Sequence, residues 1–156
     1  MIQIELTNQQ EIHPVESERL VAAVRQVLAE EGLERAEISI AVVDDVTIHR
    51  LNVQYLQHDY PTDVLSFILE QQPGYVDGEL IVSADTAATE STRYGWLPAD
   101  ELLLYVIHGT LHLAGYLDGT DEERKKMRGR EDYYLAQHGL QPHHLPVDSA
   151  DPPSEV

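Results

Sequence analysis

The chain has 156 residues, of which 42% are hydrophobic, and it carries a formal net charge of −18. This length and composition predict one domain with a single core. Because the chain has no cysteine, disulfides and thiolate metal sites are excluded, and any metal site must use histidine and carboxylate ligands. The acidic charge opposes general binding to polyanions such as nucleic acids.

The N-terminal sequence MIQIELTNQQ contains neither a basic segment nor a long apolar one, so we expect no signal peptide. No stretch approaches the roughly 18 apolar residues that a membrane span requires. These two features predict a soluble, cytoplasmic protein that does not associate with membranes.

The first half of the chain alternates between strand and helix patterns. Alternating apolar residues predict a strand over 1–6, and an apolar stripe predicts a helix from about 15 to 31. A second strand is predicted over 37–43. Asp44 and Asp45 suit the N-cap of a following helix over 46–57.

In the second half, a strand is predicted over 64–69, a polar loop over 70–78 and a further strand over 78–84. A short helix over 85–94 follows, with Asp85 as its cap. Pro98 fits the first position of a long apolar helix. Thr120 and Glu123 form a capping-box pattern for a last helix that ends near 137.

Strands interleaved with helices, without a strict βαβ repeat, indicate an α+β fold with a four-stranded mixed sheet covered by about five helices. We expect a single domain over residues 1–140. The Pro-rich, acidic segment 141–156 is predicted to be a disordered tail, in which His143 and His144 are incidental.

The end of the long apolar helix carries a candidate metal site. His108 and His112 are four residues apart, a spacing that places two side chains on one helix face about 5–6 Å apart at Cβ. Gly115 is a natural helix terminator, after which Asp118 can return towards the pair. Two imidazoles and one carboxylate, with a fourth position for water, are typical of a catalytic zinc site.

The residues alone leave a simpler interpretation open for each member of this site. Histidine pairs at this spacing are often packed or exposed side chains without a metal. Asp118 precedes a glycine, and Asp-Gly is an ordinary turn signal. The burial predicted for the helix favours the metal site, because buried imidazoles need partners.

Half of the ten basic residues fall just after this site, within seven positions: Arg124, Lys125, Lys126, Arg128 and Arg130. A local positive face beside a metal suits a phosphodiester substrate. The alternative is a helix whose charges only interact with solvent.

The segment 108–118 resembles the signature HGxLHLxGYDH of the YbeY family of bacterial rRNA-maturation factors, regarded as single-strand metallo-endoribonucleases. The matching positions are His108, Gly109, Leu111, His112, Leu113, Gly115 and Tyr116. The family's upstream motif LNxxYRxxDxPTDVLSFP is matched by Leu51, Asn52, Tyr55, Asp59 and residues 61–67. Downstream of the signature, Glu123, Met127 and Glu131 also fall at positions that match the family pattern. The resemblance covers most of residues 1–138 in order.

This resemblance implies a metal-dependent, single-strand-specific endoribonuclease in rRNA maturation, at the 16S rRNA 3′ end, and in ribosome quality control. It implies one Zn²⁺ or another divalent ion per chain, held by His108, His112 and Asp118, whose bound water attacks the phosphodiester. The implied partners are single-stranded RNA and the ribosomal small subunit, and a monomer is favoured. Candidate residues of the RNA-binding cleft are Asn52, Asp63, Ser66, Arg124, Lys125, Lys126 and Arg128.

Three positions depart from the family pattern. Asp118 replaces the third histidine ligand, Leu117 replaces an aspartate, and Leu56 replaces an arginine. An anionic ligand leaves the bound water less acidified than three neutral imidazoles would. Leu56 cannot contact phosphate as a guanidinium does, so the level of activity is in question.

Two other functions remain open at this point. One is a ribosome-assembly factor in which the metal is structural and catalysis is weak. The other is a metal hydrolase of a small substrate, which the acidic charge suits better than RNA. A zinc peptidase of the HExxH type is disfavoured, because Gly109 stands where the general base would be.

Overall fold

The computed structural model describes residues 1–57, 62–143 and 145. Asp59 and Pro61 of the matched upstream motif lie outside the described residues, as do His144 and residues 146–156. The predicted domain limit at residue 140 and the predicted disorder of the tail therefore stay predictions.

Four strands and five helices form within the described residues. In chain order they are β1 (Ile2–Asn8), α1 (Ser17–Glu30), β2 (Arg35–Val43), α2 (Asp45–Leu56), β3 (Val64–Gln72), β4 (Tyr75–Ser83), α3 (Ala84–Ser91), α4 (Pro98–Leu113) and α5 (Asp121–Gln137).

The four strands form one mixed sheet in the order β1-β2-β4-β3. The pairs β1–β2 and β2–β4 are parallel, whereas β3 is antiparallel to β4. The main core packs α1, α3, α4 and α5 against the sheet, and a smaller cluster around Ile48 and Leu65 packs with α2. The predicted α+β fold with a mixed sheet is confirmed.

Helix α4 lies at the centre of the main core. Every residue from Glu101 to Leu113 is buried except His108. Pro98 opens the helix, and the Leu97 N–H donates to the Asp100 carboxylate at 3.1 Å, which satisfies one free donor of the first turn. The apolar sequence of this segment predicted this burial.

Gly109 allows α4 to approach strands β3 and β4 closely. A Cβ at this position would lie 2.7 Å from Leu80 Cδ2 and 3.0 Å from Ser66 Oγ. The Ser66 hydroxyl donates to the Gly109 carbonyl at 3.3 Å. Because Gly109 follows His108 directly, this contact fixes the helix at the candidate metal site.

Two predicted caps are present. The Thr47 N–H donates to Asp44 at 2.8 Å at the start of α2, and the Glu123 N–H donates to the Thr120 hydroxyl at 3.1 Å at the start of α5. The predicted cap of α3 is wrong, because the Thr86 N–H donates to the Ser83 hydroxyl at 3.1 Å and Asp85 lies in the first turn.

The predicted polar loop over 70–78 is also wrong. Strand β3 continues to Gln72, and β4 begins at Tyr75 after a two-residue turn in which Gly74 has φ +74°. The polar residues at the end of β3 are exposed on an edge strand, so their polarity does not distinguish a strand from a loop. None of the described helices is long and apolar enough to span a membrane.

Replacing Gly109 should destabilise the fold. The added methyl group of Gly109→Ala meets a packed strand, and overpacking costs about 1–3 kcal/mol. We expect a lower free energy of unfolding in urea, although alanine is the better helix former by about 1 kcal/mol.

The matched control is Gly129→Ala on α5, where a Cβ meets no atom within 4 Å. This substitution should stabilise the protein by about 0.5–1 kcal/mol. An unchanged or higher stability of Gly109→Ala would contradict the close packing of α4 against β3 and β4.

Candidate metal centre

The candidate site lies at the C-terminal end of α4. His108 and His112 present their Nε2 atoms to each other at 3.2 Å, with the two rings at 85°. Asp118 Oδ2 lies 3.3 Å from His112 Nε2 and 4.0 Å from His108 Nε2. The three ligand atoms lie within 4.8 Å of one another, so the structure brings the three predicted ligand residues together.

The turn after α4 brings Asp118 into place. Gly115 has φ +105°, a conformation that glycine adopts without steric cost. The Gly115 N–H donates to the His112 carbonyl at 3.0 Å, and the Tyr116 N–H donates to the Leu111 carbonyl at 2.9 Å. These bonds close the end of the helix and reverse the chain towards the two histidines.

Each histidine has its second nitrogen bound to an acceptor. His108 Nδ1–H donates to Glu131 Oε2 at 2.7 Å, and this carboxylate on α5 belongs to a residue that is only 2% exposed. His112 Nδ1–H donates to the Tyr116 carbonyl at 2.9 Å. Since a carboxylate and a carbonyl only accept, both Nδ1 atoms carry the hydrogen and both Nε2 atoms can offer a lone pair.

This arrangement fits a divalent metal ion. Two lone pairs that face each other at 3.2 Å repel unless a cation or a proton lies between them. A tetrahedral zinc with Zn–N distances of 2.0–2.1 Å separates two ligand nitrogens by about 3.3 Å. The Asp118 side chain is 31% exposed, so one side of the group faces solvent and leaves room for water or substrate.

The carboxylate of Glu31, whose side chain is 9% exposed, holds Tyr116 on the other side of the turn. The Tyr116 hydroxyl donates to Glu31 Oε1 at 2.7 Å. Arg130 donates to Glu31 Oε2 from Nε at 2.9 Å and from Nη2 at 2.7 Å, and the Tyr134 hydroxyl donates to the same oxygen at 2.6 Å. This network joins α1, α5 and the turn whose carbonyl orients His112.

The electrostatics of the site follow from burial and from the histidines. Burial acts to raise the pKa of Asp118, but the hydrogen bond and charge of His112, with His108 and Arg124, bring that pKa below its usual range. Burial acts to lower the pKa of His108, but Glu131, together with the charges of Asp63 and Asp118, raises this pKa above its usual value. Asp118 is therefore anionic at neutral pH.

Two of the predicted cleft residues lie beside the candidate centre. Arg124 Nη1 donates to the Asp118 carbonyl at 3.0 Å, and its Nη2 pairs with Asp121, so its guanidinium lies next to the site. Asp63 lies near His108, whose charge acts against the burial that raises the Asp63 pKa. Arg124 thus gives the border of the site a positive group, and Asp63 adds a carboxyl group whose pKa is raised by burial.

The other predicted cleft residues have varied surroundings. Ser66 and Asn52 are buried, the first against Gly109 and the second on α2. Lys125 is exposed, and Lys126 Nζ lies 5.7 Å from the centre of the Tyr116 ring. Arg128 is half-buried on the same helix.

Two glutamates that support the site, Glu31 and Glu131, are absent from the site residues predicted from the sequence. Glu31 lies at the end of the predicted first helix, and Glu131 is one of the positions that match the family pattern. Neither glutamate carries a local signal of such a role. The one usable signal was the pair of histidines on a buried helix, because imidazoles in such a place require acceptors.

The geometry can be compared with known proteins. The profile of the family described as Endoribonuclease YbeY matches residues 5–139. The chain belongs to this family. An endoribonuclease YbeY from Rhodopirellula baltica is 45% identical over 114 residues, which cover 72% of this chain and 59% of the relative. The chain thus spans less than two thirds of that relative.

This chain covers a larger share of other members of the YbeY family. An endoribonuclease YbeY from Moorella thermoacetica is 39% identical over 151 residues, covering 86% of this chain and 96% of the relative. The solution structure of TM1509 from Thermotoga maritima superposes with a TM-score of 0.59 at 27% identity, covering 88% of each chain. The family and its fold therefore extend over most of the chain.

Glu131→Gln should weaken metal binding, because glutamine can still accept from His108 but carries no charge. Substitutions of such supporting residues typically reduce metal affinity about 10–100-fold, and we expect about 10-fold here. Calorimetric titration with Zn²⁺ measures this change. Glu122→Gln, at an exposed position of the same helix, is the control, and equal affinities of the two variants would contradict the role of Glu131.

Glu31→Gln should destabilise the protein by about 1.5–3 kcal/mol at neutral pH, as expected for hydrogen bonds to a charged group. Burial acts to raise the Glu31 pKa, but Tyr134, Tyr116 and Arg130 lower it below 4.5. The stabilisation is therefore fully present above pH 4.5 and is lost as the pH falls through the lower, folded-state pKa.

Urea unfolding over a pH series tests this dependence. The difference between Glu31→Gln and the unmodified protein should be largest at neutral pH and shrink in acid. The exposed Glu34→Gln is the control and should show little difference at any pH. A difference for Glu31→Gln that stays constant into acid would contradict the account.

Proposed function

We propose that the chain is a metal-dependent endoribonuclease that cleaves single-stranded RNA. The proposal rests on one observation: the Nε2 atoms of His108 and His112 lie 3.2 Å apart, and Asp118 Oδ2 lies beside them. The Nδ1 atom of each histidine is bound to an acceptor. The name Endoribonuclease YbeY, which the relatives carry, supports RNA as the substrate.

In this proposal His108, His112 and Asp118 hold one divalent ion, with Zn²⁺ as the first choice for two imidazoles and a carboxylate. When bound, the ion supplies a Lewis acid and an acidified water for hydrolysis of a phosphodiester. Glu131 and the Tyr116 carbonyl keep the imidazoles in the orientation and tautomer that binding requires.

The positive charge that a phosphodiester needs comes from the start of α5. Arg124 lies next to Asp118 and is placed to contact a phosphate, while Leu56 offers no guanidinium. Lys125, Lys126 and Arg128 extend the positive face along the same helix. We propose that this face binds the RNA backbone despite the net charge of −18.

We further propose that the substrate is ribosomal RNA. Maturation of the 16S rRNA 3′ end and quality control of the ribosome would place the protein in the cytoplasm as a monomer that meets the small subunit. Family membership supports this context.

A second function is favoured by one observation, the leucine at position 56 where the family has an arginine. In this alternative the chain is a ribosome-assembly factor whose metal mainly fixes the end of α4. It would bind ribosomal particles without cleaving RNA.

The experiment compares His112→Ala with the unmodified protein in cleavage of a labelled single-stranded RNA after metal repletion. We expect His112→Ala to lose cleavage by about 100-fold or more, since it removes a ligand and not only a supporting group. His138→Ala, at the end of α5 and away from the site, is the matched control and should retain activity.

The outcomes separate the two functions. Cleavage that survives in His112→Ala identifies a contaminating nuclease and defeats the endoribonuclease proposal. Intact RNA together with metal-dependent binding to ribosomal small subunits favours the assembly factor.

A further inference from the structure

A second constellation of polar and aromatic side chains lies at the opposite end of α4. His143, which follows α5, stacks on Tyr94 with ring centres 3.6 Å apart and planes at 5°. Trp96 meets the same imidazole edge-on at 4.4 Å and 61°. His143 Nε2–H donates to Glu101 Oε1 at 2.8 Å. We call Tyr94, Trp96 and Glu101 the aromatic slot.

Glu101 makes this slot unusual for a hydrophobic core. The residue is 1% exposed, and burial raises its pKa, opposed by the hydrogen bond from His143. A buried carboxylate is costly unless a donor lies against it. Neither Glu101 nor His143 belongs to the candidate metal group of His108, His112 and Asp118.

The geometry of the imidazole in the slot is that of a bound nucleobase. Single-stranded RNA is recognised by stacking a base on an aromatic ring while its edge forms hydrogen bonds in the plane. Here a flat heterocycle stacks on Tyr94 and donates an in-plane N–H to Glu101. The carboxylate would repel a phosphate, so the slot suits the neutral base and not the backbone.

The slot lies on the same face of α4 as the metal centre. Glu101, Tyr105 and His108 follow at spacings of four and three residues, which places them on one face. Seven residues of helix separate Glu101 from His108 by about 10 Å. Asp63 interacts electrostatically with all three of these residues, which places it between the two sites.

We propose that the aromatic slot binds a nucleobase of the RNA substrate, and that His143 occupies the slot in the free protein. This inference rests on the proposed endoribonuclease function and adds a base subsite to it. A base must displace His143 to enter. His143 Nδ1 is buried with no hydrogen-bond partner among the described residues, so one polar atom of the imidazole has no hydrogen bond in the slot.

The carboxylate determines which base fits. Guanine presents N1–H and N2–H₂ side by side on its Watson–Crick edge, and both can donate to one carboxylate. Uracil presents one N–H between two carbonyl acceptors, which the carboxylate repels. We therefore expect the slot to prefer guanine over uracil.

Trp96 is the only tryptophan of the chain, so its fluorescence reports on the slot. We would titrate the full-length protein with guanosine monophosphate and with uridine monophosphate, in the presence of a chelator. His143→Ala should bind guanosine monophosphate about 10-fold more tightly than the unmodified protein, because a competing occupant is removed. Uridine monophosphate should bind more weakly to both.

Two further variants test the lining. Tyr94→Ala, added to His143→Ala, should weaken binding about 10-fold through the loss of stacking. Tyr94 is 44% exposed, so this variant should fold, and its thermal unfolding checks this. Glu101→Gln should remove the preference for guanine. Tyr55→Ala, which removes an exposed aromatic ring on α2, is the matched control and should change nothing.

The titration separates this inference from the proposed function, since it requires neither metal nor cleavage. His112→Ala should bind the nucleotide as the unmodified protein does, even though it should not cleave RNA. Equal affinity with and without His143, or with and without Tyr94, overturns the base subsite, whatever the outcome of the cleavage assay.

Discussion

The candidate site depends on two hydrogen bonds that leave the histidines no other arrangement. His108 Nδ1–H is bound by the Glu131 carboxylate and His112 Nδ1–H by the Tyr116 carbonyl. Because neither acceptor can donate, two Nε2 lone pairs face each other at 3.2 Å. Such a pair is stable only around a cation or a proton, and Asp118 adds the negative charge that favours a cation. The orientation of the ligands is therefore built into the fold.

Rigid packing keeps these two hydrogen bonds in place. Helix α4 is buried on nearly all sides, and Gly109 lets it lie directly against β3 and β4 at the level of His108. The half-buried Glu31 joins the end of the first helix to the last helix and to the turn after α4. Movement of any of these elements would misplace an acceptor, and a displacement of a fraction of an ångström weakens a hydrogen bond. Stability and ligand geometry thus depend on the same contacts.

Charge is distributed unevenly around this centre. The chain as a whole is strongly acidic, but Arg124 and its basic neighbours begin α5 directly beside Asp118. Arg130, from the same basic run, instead binds Glu31 inside the structure. A run of basic residues in a sequence therefore contains both surface groups and structural ones, and only their neighbours distinguish them.

The sequence by itself determined what depends on neighbouring residues along the chain: the histidine spacing, the buried helix, the glycine break, two helix caps and the succession of strands and helices along the chain. Local periodicity and turn chemistry fix these features. Only the tertiary structure decided which side chains pair over long distances in the chain. Glu131 binds His108 across 23 residues, Glu31 binds Tyr116 across 85, and His143 binds Glu101 across 42. Such pairs depend on how whole elements pack. The β3–β4 hairpin was missed for a similar reason, since an exposed edge strand has the polarity of a loop until its partner strand is known.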